Sequence, residues 1–157
     1  MRLDEVSNEI RTAAFEFFYW FSRFEFALKE CQYLLSNVPG NKAQVNWQSY
    51  IDRWKHDYTL SESAAALVAA NPERQVIGTS GIDLEFVPLT FNLNASDLER
   101  IVRLAQAVRN NLFHGGKHGS NYWDDSDRLL QLLPMVISVL NELAEQTDLE
   151  ADYRRYY

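Results

Sequence analysis

The chain has 157 residues, a length that suits one domain with a sizeable core, and its 46% hydrophobic and 13% aromatic content excludes a disordered chain. A formal net charge of −7 argues against broad, sequence-independent binding of nucleic acid. The single cysteine, Cys31, cannot form an intramolecular disulfide, which suits a reducing cytosol.

The beginning of the chain lacks the uninterrupted apolar region that is typical of a signal peptide. No stretch reaches the roughly 18 apolar residues that a membrane helix needs. We therefore expect a soluble, cytoplasmic protein with no membrane partner.

The first predicted element is a long amphipathic helix from about Leu3 to Leu35, because apolar residues recur there at spacings of three and four. The apolar positions are Leu3, Val6, Ile10, Ala13, Phe17, Phe21, Phe24, Leu28, Cys31 and Leu35. A second, mostly aromatic set widens this apolar face: Phe15, Phe18, Tyr19, Phe26 and Tyr33. So much aromatic surface predicts either a central helix of the bundle or a dimer interface.

Two shorter helices are predicted next. After a turn at 37–41, the first covers about Ala43 to Tyr58, with His56 near its end as a surface histidine. The second opens at Ser61, runs through Ala70 and ends at Asn71-Pro72.

Residues 73–93 break the helical pattern. Two extended stretches, Gln75–Gly78 and Ile82–Val87, flank Thr79-Ser80-Gly81, which predicts either a short hairpin or a long loop with extended arms. The segment could also serve as a lid or as an arm that contacts a partner.

Two long helices complete the pattern. Asn94-Ala95-Ser96-Asp97 offers capping residues for a helix that ends in Arg109-Asn110-Asn111-Leu112-Phe113-His114. Asp124–Asp127 caps the last helix, in which Pro134 predicts a kink or a division. The tail Tyr153–Tyr157 is expected to be frayed or docked on a partner.

These elements together predict an all-α fold, an antiparallel bundle of about four to five helices with a small hairpin or loop insertion at 73–93. We expect a single helical domain over residues 1–157.

The end of the helix at 109–114 groups side chains suited to chemistry. Asn110 and His114, four residues apart, lie on one helical face, and the long side chain of Arg109 can reach the same space. Gly115 and Gly116 follow and can cap the helix. The negative end of the helix dipole favours the protonated form of His114. Such a pair can move a proton and hold a phosphate, although ordinary helix capping explains the same residues.

The run Arg109–His114 resembles the Arg-x4–6-His signature of the HEPN superfamily, with Asn110 as the polar residue that often follows the arginine. The longer run to Lys117 looks like stand-alone bacterial HEPN proteins, and Phe21–Lys29 resembles their first helix. HEPN toxins paired with a nucleotidyltransferase antitoxin usually carry a tyrosine two residues after the histidine. Here that position is Gly116, so regulation through such a tyrosine is not expected.

The resemblance implies a metal-independent endoribonuclease of the toxin or phage-defence type that works as a homodimer on RNA, with a possible antitoxin or other protein partner. His114 would act as general acid or base, Arg109 as the phosphate clamp, and Asn110 as an orienting group. A two-fold dimer would place two of each in one cleft. The products would be a 2′,3′-cyclic phosphate and a 5′-hydroxyl.

Further substrate-binding residues are expected around this site. Arg100 to Lys117 carries four basic residues and no acidic one, so Arg103 and Lys117 could contact phosphates, unless the run is only a solvated helix face. His118 and Tyr122 lie in the following loop, where Tyr122 and Trp123 could stack a base or simply close the core. Glu25 is expected to face solvent or, alternatively, to brace Arg109 from a second layer.

The sequence also leaves other functions open. A zinc or iron site at His114 and His118 lacks a matching third ligand, and neither a metal nor a cofactor is expected. The motifs of a P-loop, a Rossmann fingerprint and a serine triad are absent. The main alternative is a non-catalytic HEPN-type module that binds RNA, nucleotide or a protein partner through the same cleft. An unrelated helical dimerisation protein is the third possibility.

Overall fold

The computed structural model describes residues 6–114 and 126–155, except for the side chain of His114. In chain order the elements are α1 (Asn8–Glu30), α2 (Trp47–Trp54), α3 (Glu62–Ala70), β1 (Arg74–Ile77), β2 (Leu84–Val87), α4 (Asp97–His114), α5 (Ser126–Gln146) and α6 (Glu150–Arg154). A mainly helical fold with one small two-stranded sheet is thus confirmed. No helix within the described ranges is long and apolar enough to cross a membrane.

Helix α1 is shorter than the predicted span of Leu3 to Leu35. Ser7 caps its start, since the Ser7 hydroxyl accepts a hydrogen bond from the backbone N–H of Ile10 at 3.2 Å. At the other end, Gln32 takes a left-handed conformation with φ 64°. The N–H groups of Gln32 and Tyr33 then return to the carbonyls of Lys29 and Leu28, at 3.1 and 2.9 Å. This is a Schellman ending built without glycine.

Helix α2 also begins later than predicted. Leu34 and Val45 form an isolated antiparallel bridge, which draws the residues before α2 into extended structure. Asn46 caps the helix, because its Oδ1 accepts from the N–H of Ser49 at 3.1 Å. His56 is exposed just beyond the end of α2, which confirms it as a surface histidine.

The segment at 73–93 contains the hairpin rather than the loop with extended arms. Strands β1 and β2 are antiparallel, with Arg74 opposite Val87 and Ile77 opposite Leu84. Ser80 organises the connecting loop, where its hydroxyl donates to the Asp83 carboxylate at 2.7 Å and accepts from two backbone N–H groups. Strand β1 packs against α4, which keeps the base of the hairpin on the helical body.

Helix α5 continues through Pro134, so of the two outcomes predicted there, a kink or a division, the division does not occur. Pro134 is exposed, and its ring therefore faces solvent, where water can satisfy the carbonyl that loses its intrahelical partner. The helix keeps its core face on both sides of the proline, with Leu133 and Val136 fully buried.

The prediction for the tail is wrong for residues 153–155, which dock on the protein itself. Tyr153 in α6 is fully buried, and its ring packs at a tilt against Trp20 and edge-on against Phe24 of α1, with ring centroids 5.2 and 5.9 Å away. Arg23 of α1 donates to the backbone carbonyls of Asp152, Tyr153 and Arg155. The polar and aromatic residues of the tail give no local sign of these long-range hydrogen bonds.

The core joins all the helices. Helix α1 packs against α5 and α6, α3 against α4 and α5, and α2 against α4. The largest fully buried side chains come from every helix of the described ranges: Phe17, Phe24, Leu28, Tyr50, Leu67, Leu98, Ile101, Leu104, Leu129, Leu132, Leu133 and Tyr153. Helix α4 lies within this packing, so the residues at its end have a fixed support.

Candidate active site

Helix α4 positions the predicted site. Ser96 caps its start, with its hydroxyl accepting from the N–H of Glu99 at 3.1 Å. One side of the helix is buried to its end, including Ile101, Leu104, Val108 and Leu112. The opposite side therefore turns outward and carries Asn110, with the half-buried Arg109 at its edge.

Arg109 and Asn110 are brought together on the last turns of α4. The Arg109 guanidinium donates from Nη1 to Oδ1 of Asn110 at 3.1 Å, and its Cζ lies 5.4 Å from the ring centroid of Phe113. Arg109 is half-buried and Asn110 is exposed. His114 is the last residue of the helix, and its side chain lies outside the described part of the chain.

Arg109 differs from several other arginines in what it contacts. Arg53, Arg103 and Arg154 form ion pairs with carboxylates of Asp57, Glu99 and Glu145. No ion pair of the described residues includes Arg109, whose recorded contacts are a neutral amide and an aromatic ring. Among the described residues, no carboxylate neutralises the positive charge of Arg109. The planar guanidinium can therefore bind a phosphate through two parallel hydrogen bonds.

Asn111 is a residue of this turn that the sequence reasoning missed. It is the one buried polar residue of the described ranges, at 2% exposure, and its Nδ2 donates to the carbonyl of Glu73 at 2.6 Å. The bond ties the last turn of α4 to the residue before β1. A signal existed, since Asn111 continues the spacing of the buried Leu104 and Val108, where an apolar residue is expected.

Phe113 connects the site to α1. Its ring meets that of Phe18 edge-on, with centroids 5.8 Å apart and an interplanar angle of 72°. Both rings are partly exposed, Phe113 at 38% and Phe18 at 49%. Aromatic surface of α1 therefore reaches the turn that holds Arg109.

Arg103 lies on the same helix but apart from Arg109. Six residues separate them, which corresponds to about 9 Å along the axis. Arg103 pairs with Glu99 at 3.3 Å and donates to Oε1 of Gln48 at 3.5 Å. A role for Arg103 in binding substrate stays a prediction.

Glu25 is half-buried on α1, and no ion pair within the described ranges joins it to Arg109. Its role beside Arg109 also stays a prediction. The predicted residues Lys117, His118, Tyr122 and Trp123 lie outside the described residues, as do the capping glycines Gly115 and Gly116.

A second group of polar side chains lies just beyond the carboxyl end of α1, where its contacts join α1 to α2 and to the segment that follows α5. The Tyr33 hydroxyl accepts from Nε1 of Trp54 at 2.8 Å and contacts both carboxylate oxygens of Asp148 at 3.2 Å. Burial, together with the negative charges of Asp148 and Asp152, raises the pKa of the Cys31 thiol to about 11. The thiol therefore stays protonated at neutral pH and is a poor nucleophile.

Metal ligands are not grouped in the part of the chain that the structure describes, where no cluster of three or more His, Cys, Asp or Glu residues could hold an ion. Comparisons with protein-family models, with curated proteins and with solved structures found no match to this chain. The HEPN resemblance thus depends on the motif at 109–114 and on the first helix.

Proposed function

We propose that this protein is a metal-independent endoribonuclease of HEPN type, with its active site at a homodimer cleft. The observation that supports the proposal is the arrangement at the end of α4. There Arg109 contacts Asn110 and Phe113, and no carboxylate of the described residues pairs with it. A positive group supported in this way is suited to stabilise the charge of a phosphorane.

The reaction would use the nucleophile that RNA carries itself. The 2′-oxygen attacks the neighbouring phosphorus, the bond from phosphorus to the 5′-oxygen breaks, and a 2′,3′-cyclic phosphate and a 5′-hydroxyl result. One proton leaves the 2′-hydroxyl and one reaches the departing 5′-oxygen. His114 would serve in this proton transfer, while Arg109 holds the phosphate and Asn110 fixes the guanidinium.

The homodimer follows from the number of proton-transfer groups. The motif supplies one histidine per chain, whereas the reaction needs both a base and an acid. A two-fold axis near the ends of two α4 helices would supply a second histidine and a second arginine to one cleft.

The test is RNA cleavage in EDTA by the wild type and by His114→Ala, with the product ends identified. Cleavage by the wild type alone, leaving 2′,3′-cyclic phosphate, supports the proposal. Equal cleavage by both proteins removes His114 from the chemistry. RNA binding without cleavage by either protein would instead support the non-catalytic binding module.

A further inference from the structure

Helix α1 leaves one aromatic face uncovered. At 100° per residue, six positions of the helix fall within an arc of about 80°. They are Arg11, Phe15, Phe18, Ser22, Glu25 and Lys29. Phe15 is 67% exposed and Phe18 49%, and the neighbouring Tyr19 is 46% exposed. Exposed large rings in a row are unusual on a protein surface and mark a contact site.

The charges on this face are mainly positive, although the chain carries a net charge of −7. Arg11 lies at one end and Lys29 at the other, and Glu25 is the only acid among the six positions. The other acidic residues of α1 lie about 100° or more around the helix from Arg11. They are Glu9, Glu16 and Glu30. The face is thus an aromatic strip with a small excess of positive charge, and the exposed Glu16 lies beside it, about 60° around the helix from Tyr19.

The strip leads to the proposed active site. Phe18 touches Phe113 of α4, and the Arg109 guanidinium lies over the Phe113 ring, 5.4 Å from its centroid. Contacts therefore link Phe18 to Arg109 through Phe113, and Phe15 lies about one turn before Phe18 on the same face of α1.

We propose that this aromatic strip, formed by Phe15, Phe18 and Tyr19 between Arg11 and Lys29, binds unpaired bases of single-stranded RNA. Stacking requires base faces that a duplex hides in its own stack, so the substrate class is single-stranded rather than paired RNA. The few cations of the strip suit a small number of phosphates, and the rings supply the rest of the affinity. That the bound strand runs from the strip towards Arg109 rests on the proposed ribonuclease function.

A second copy of the chain fits the strip less well. A two-fold antiparallel pairing centred on the middle of the strip would place Arg11 of one copy opposite Lys29 of the other. Phe15 would then lie against Glu25. Like charges and a desolvated carboxylate disfavour such a contact, whereas both ends of the strip attract a polyanion.

Binding is measured by fluorescence anisotropy with a labelled 2′-O-methyl RNA, which lacks the attacking hydroxyl and cannot be cleaved. A single-stranded oligonucleotide is compared with its duplex. Replacing both rings, in Phe15→Ala/Phe18→Ala, is expected to weaken single-strand binding tenfold or more. If Arg11, Lys29 and Arg109 each contact a phosphate, log K for the wild type falls with log salt at a slope of about −2.

Two further variants separate stacking from general apolar contact. Phe15→Leu/Phe18→Leu keeps apolar side chains without rings and is expected to lose binding much as the alanine variant does. Ile77→Ala/Leu84→Ala removes a matched exposed apolar pair, since these residues face each other on the hairpin, and should bind as the wild type does. Thermal melting of each variant checks that the fold is intact.

Several results would overturn the inference. These are equal affinity for single strand and duplex, wild-type binding by either ring variant, or no RNA binding by the wild type. Loss of self-association in the alanine variant, with RNA binding unchanged, would assign the strip to a second copy. If binding depends on the rings but ordinary RNA is not cleaved, the strip binds RNA and the proposed ribonuclease activity is wrong. If the ring variants cleave RNA as the wild type does, only the role of the strip is wrong.

Discussion

Within the described residues, Arg109 contacts only neutral groups, the amide of Asn110 and the ring of Phe113. If it clamps the phosphate, Arg109→Ala should lower the single-turnover rate of RNA cleavage by about 10²–10³-fold. Arg109→Lys keeps the charge but loses the planar fork, so its rate should lie between those of the wild type and the alanine variant.

Arg53 provides the control, because it is another arginine over an aromatic ring, with its Cζ 4.3 Å from the centroid of Trp54. Arg53→Ala should cleave RNA at the wild-type rate. An equal loss in both alanine variants would show that general positive charge, and not the position of Arg109, supports the reaction.

Tyr153 buries a hydroxyl without a hydrogen-bond partner among the described residues. Tyr153→Phe should therefore raise the free energy of unfolding by about 1 kcal/mol, since the cost of an unmade hydrogen bond disappears. Tyr153→Ala should lower it by about 3–5 kcal/mol through the lost packing on α1. Urea unfolding followed by circular dichroism measures both changes.

Tyr33 gives the opposite case, because its hydroxyl bonds to Trp54 and Asp148. Tyr33→Phe should lower the free energy of unfolding by about 1 kcal/mol or more. A loss of stability in Tyr153→Phe as well would mean that the Tyr153 hydroxyl has a partner in solution.

At the residue scale, the sequence could predict that Arg109 reaches Asn110, because the two are neighbours near the end of a strongly periodic helix and the arginine side chain is long. It could not predict that Asn111 bonds to Glu73, or that Phe113 meets Phe18, since both contacts depend on packing between distant segments. Periodicity reports which way a side chain points and not what it meets.

Among the elements, α3 has a cap that also bonds to another helix. The Ser61 hydroxyl accepts from the N–H of Ala64 at 3.0 Å and donates to the carboxylate of Glu142 on α5. Ser61→Ala should lower the free energy of unfolding by about 2–3 kcal/mol, because a cap and a charge-assisted bond are lost together.

Ser7 caps α1 and has no second bond of this kind among the recorded contacts, so Ser7→Ala should cost about 1 kcal/mol. The difference between the two variants measures the bond to Glu142. Equal costs would show that this bond adds nothing to the stability of the fold.

Element ends were the least predictable part of the fold. Ser61 and Asn71 marked α3 correctly, since a capping serine and a left-handed asparagine are local signals. Helix α1 instead stops at Gln32, which has no intrinsic preference for φ 64°. The residues that follow are fixed by the bridge between Leu34 and Val45 and by the hydrogen bond from the Tyr33 hydroxyl to Asp148, and neither contact can be predicted from local sequence.

For the whole molecule, alkaline pH should weaken the fold. Burial, together with the nearby carboxylates of Glu142 and Asp97, raises the pKa of Tyr58 to about 12, and the pKa of Cys31 is raised to about 11. The unfolded chain releases these protons near the ordinary values of 10.0 and 9.0. The stabilisation is therefore complete below pH 9 and is lost as the pH rises towards 12.

Chemical unfolding at fixed pH values measures this loss. Tyr58→Phe and Cys31→Ala each remove one titrating group, so the double variant should show a smaller fall in the free energy of unfolding between pH 9 and 12. The same fall in both proteins would place the alkaline transition in other groups.

The proposed dimer makes a further prediction about the whole molecule. If one cleft needs His114 from both chains, a dimer with one His114→Ala chain is inactive. Co-folding wild-type and His114→Ala chains in equal amounts gives about a quarter of wild-type homodimers by random pairing. Activity should then fall to about a quarter of that of the same total amount of wild type, and not to the half expected when each chain acts alone. The cleavage rate and the dimer content are measured on the same mixtures. If the chains mix fully and half of the wild-type activity remains, each chain carries a complete site.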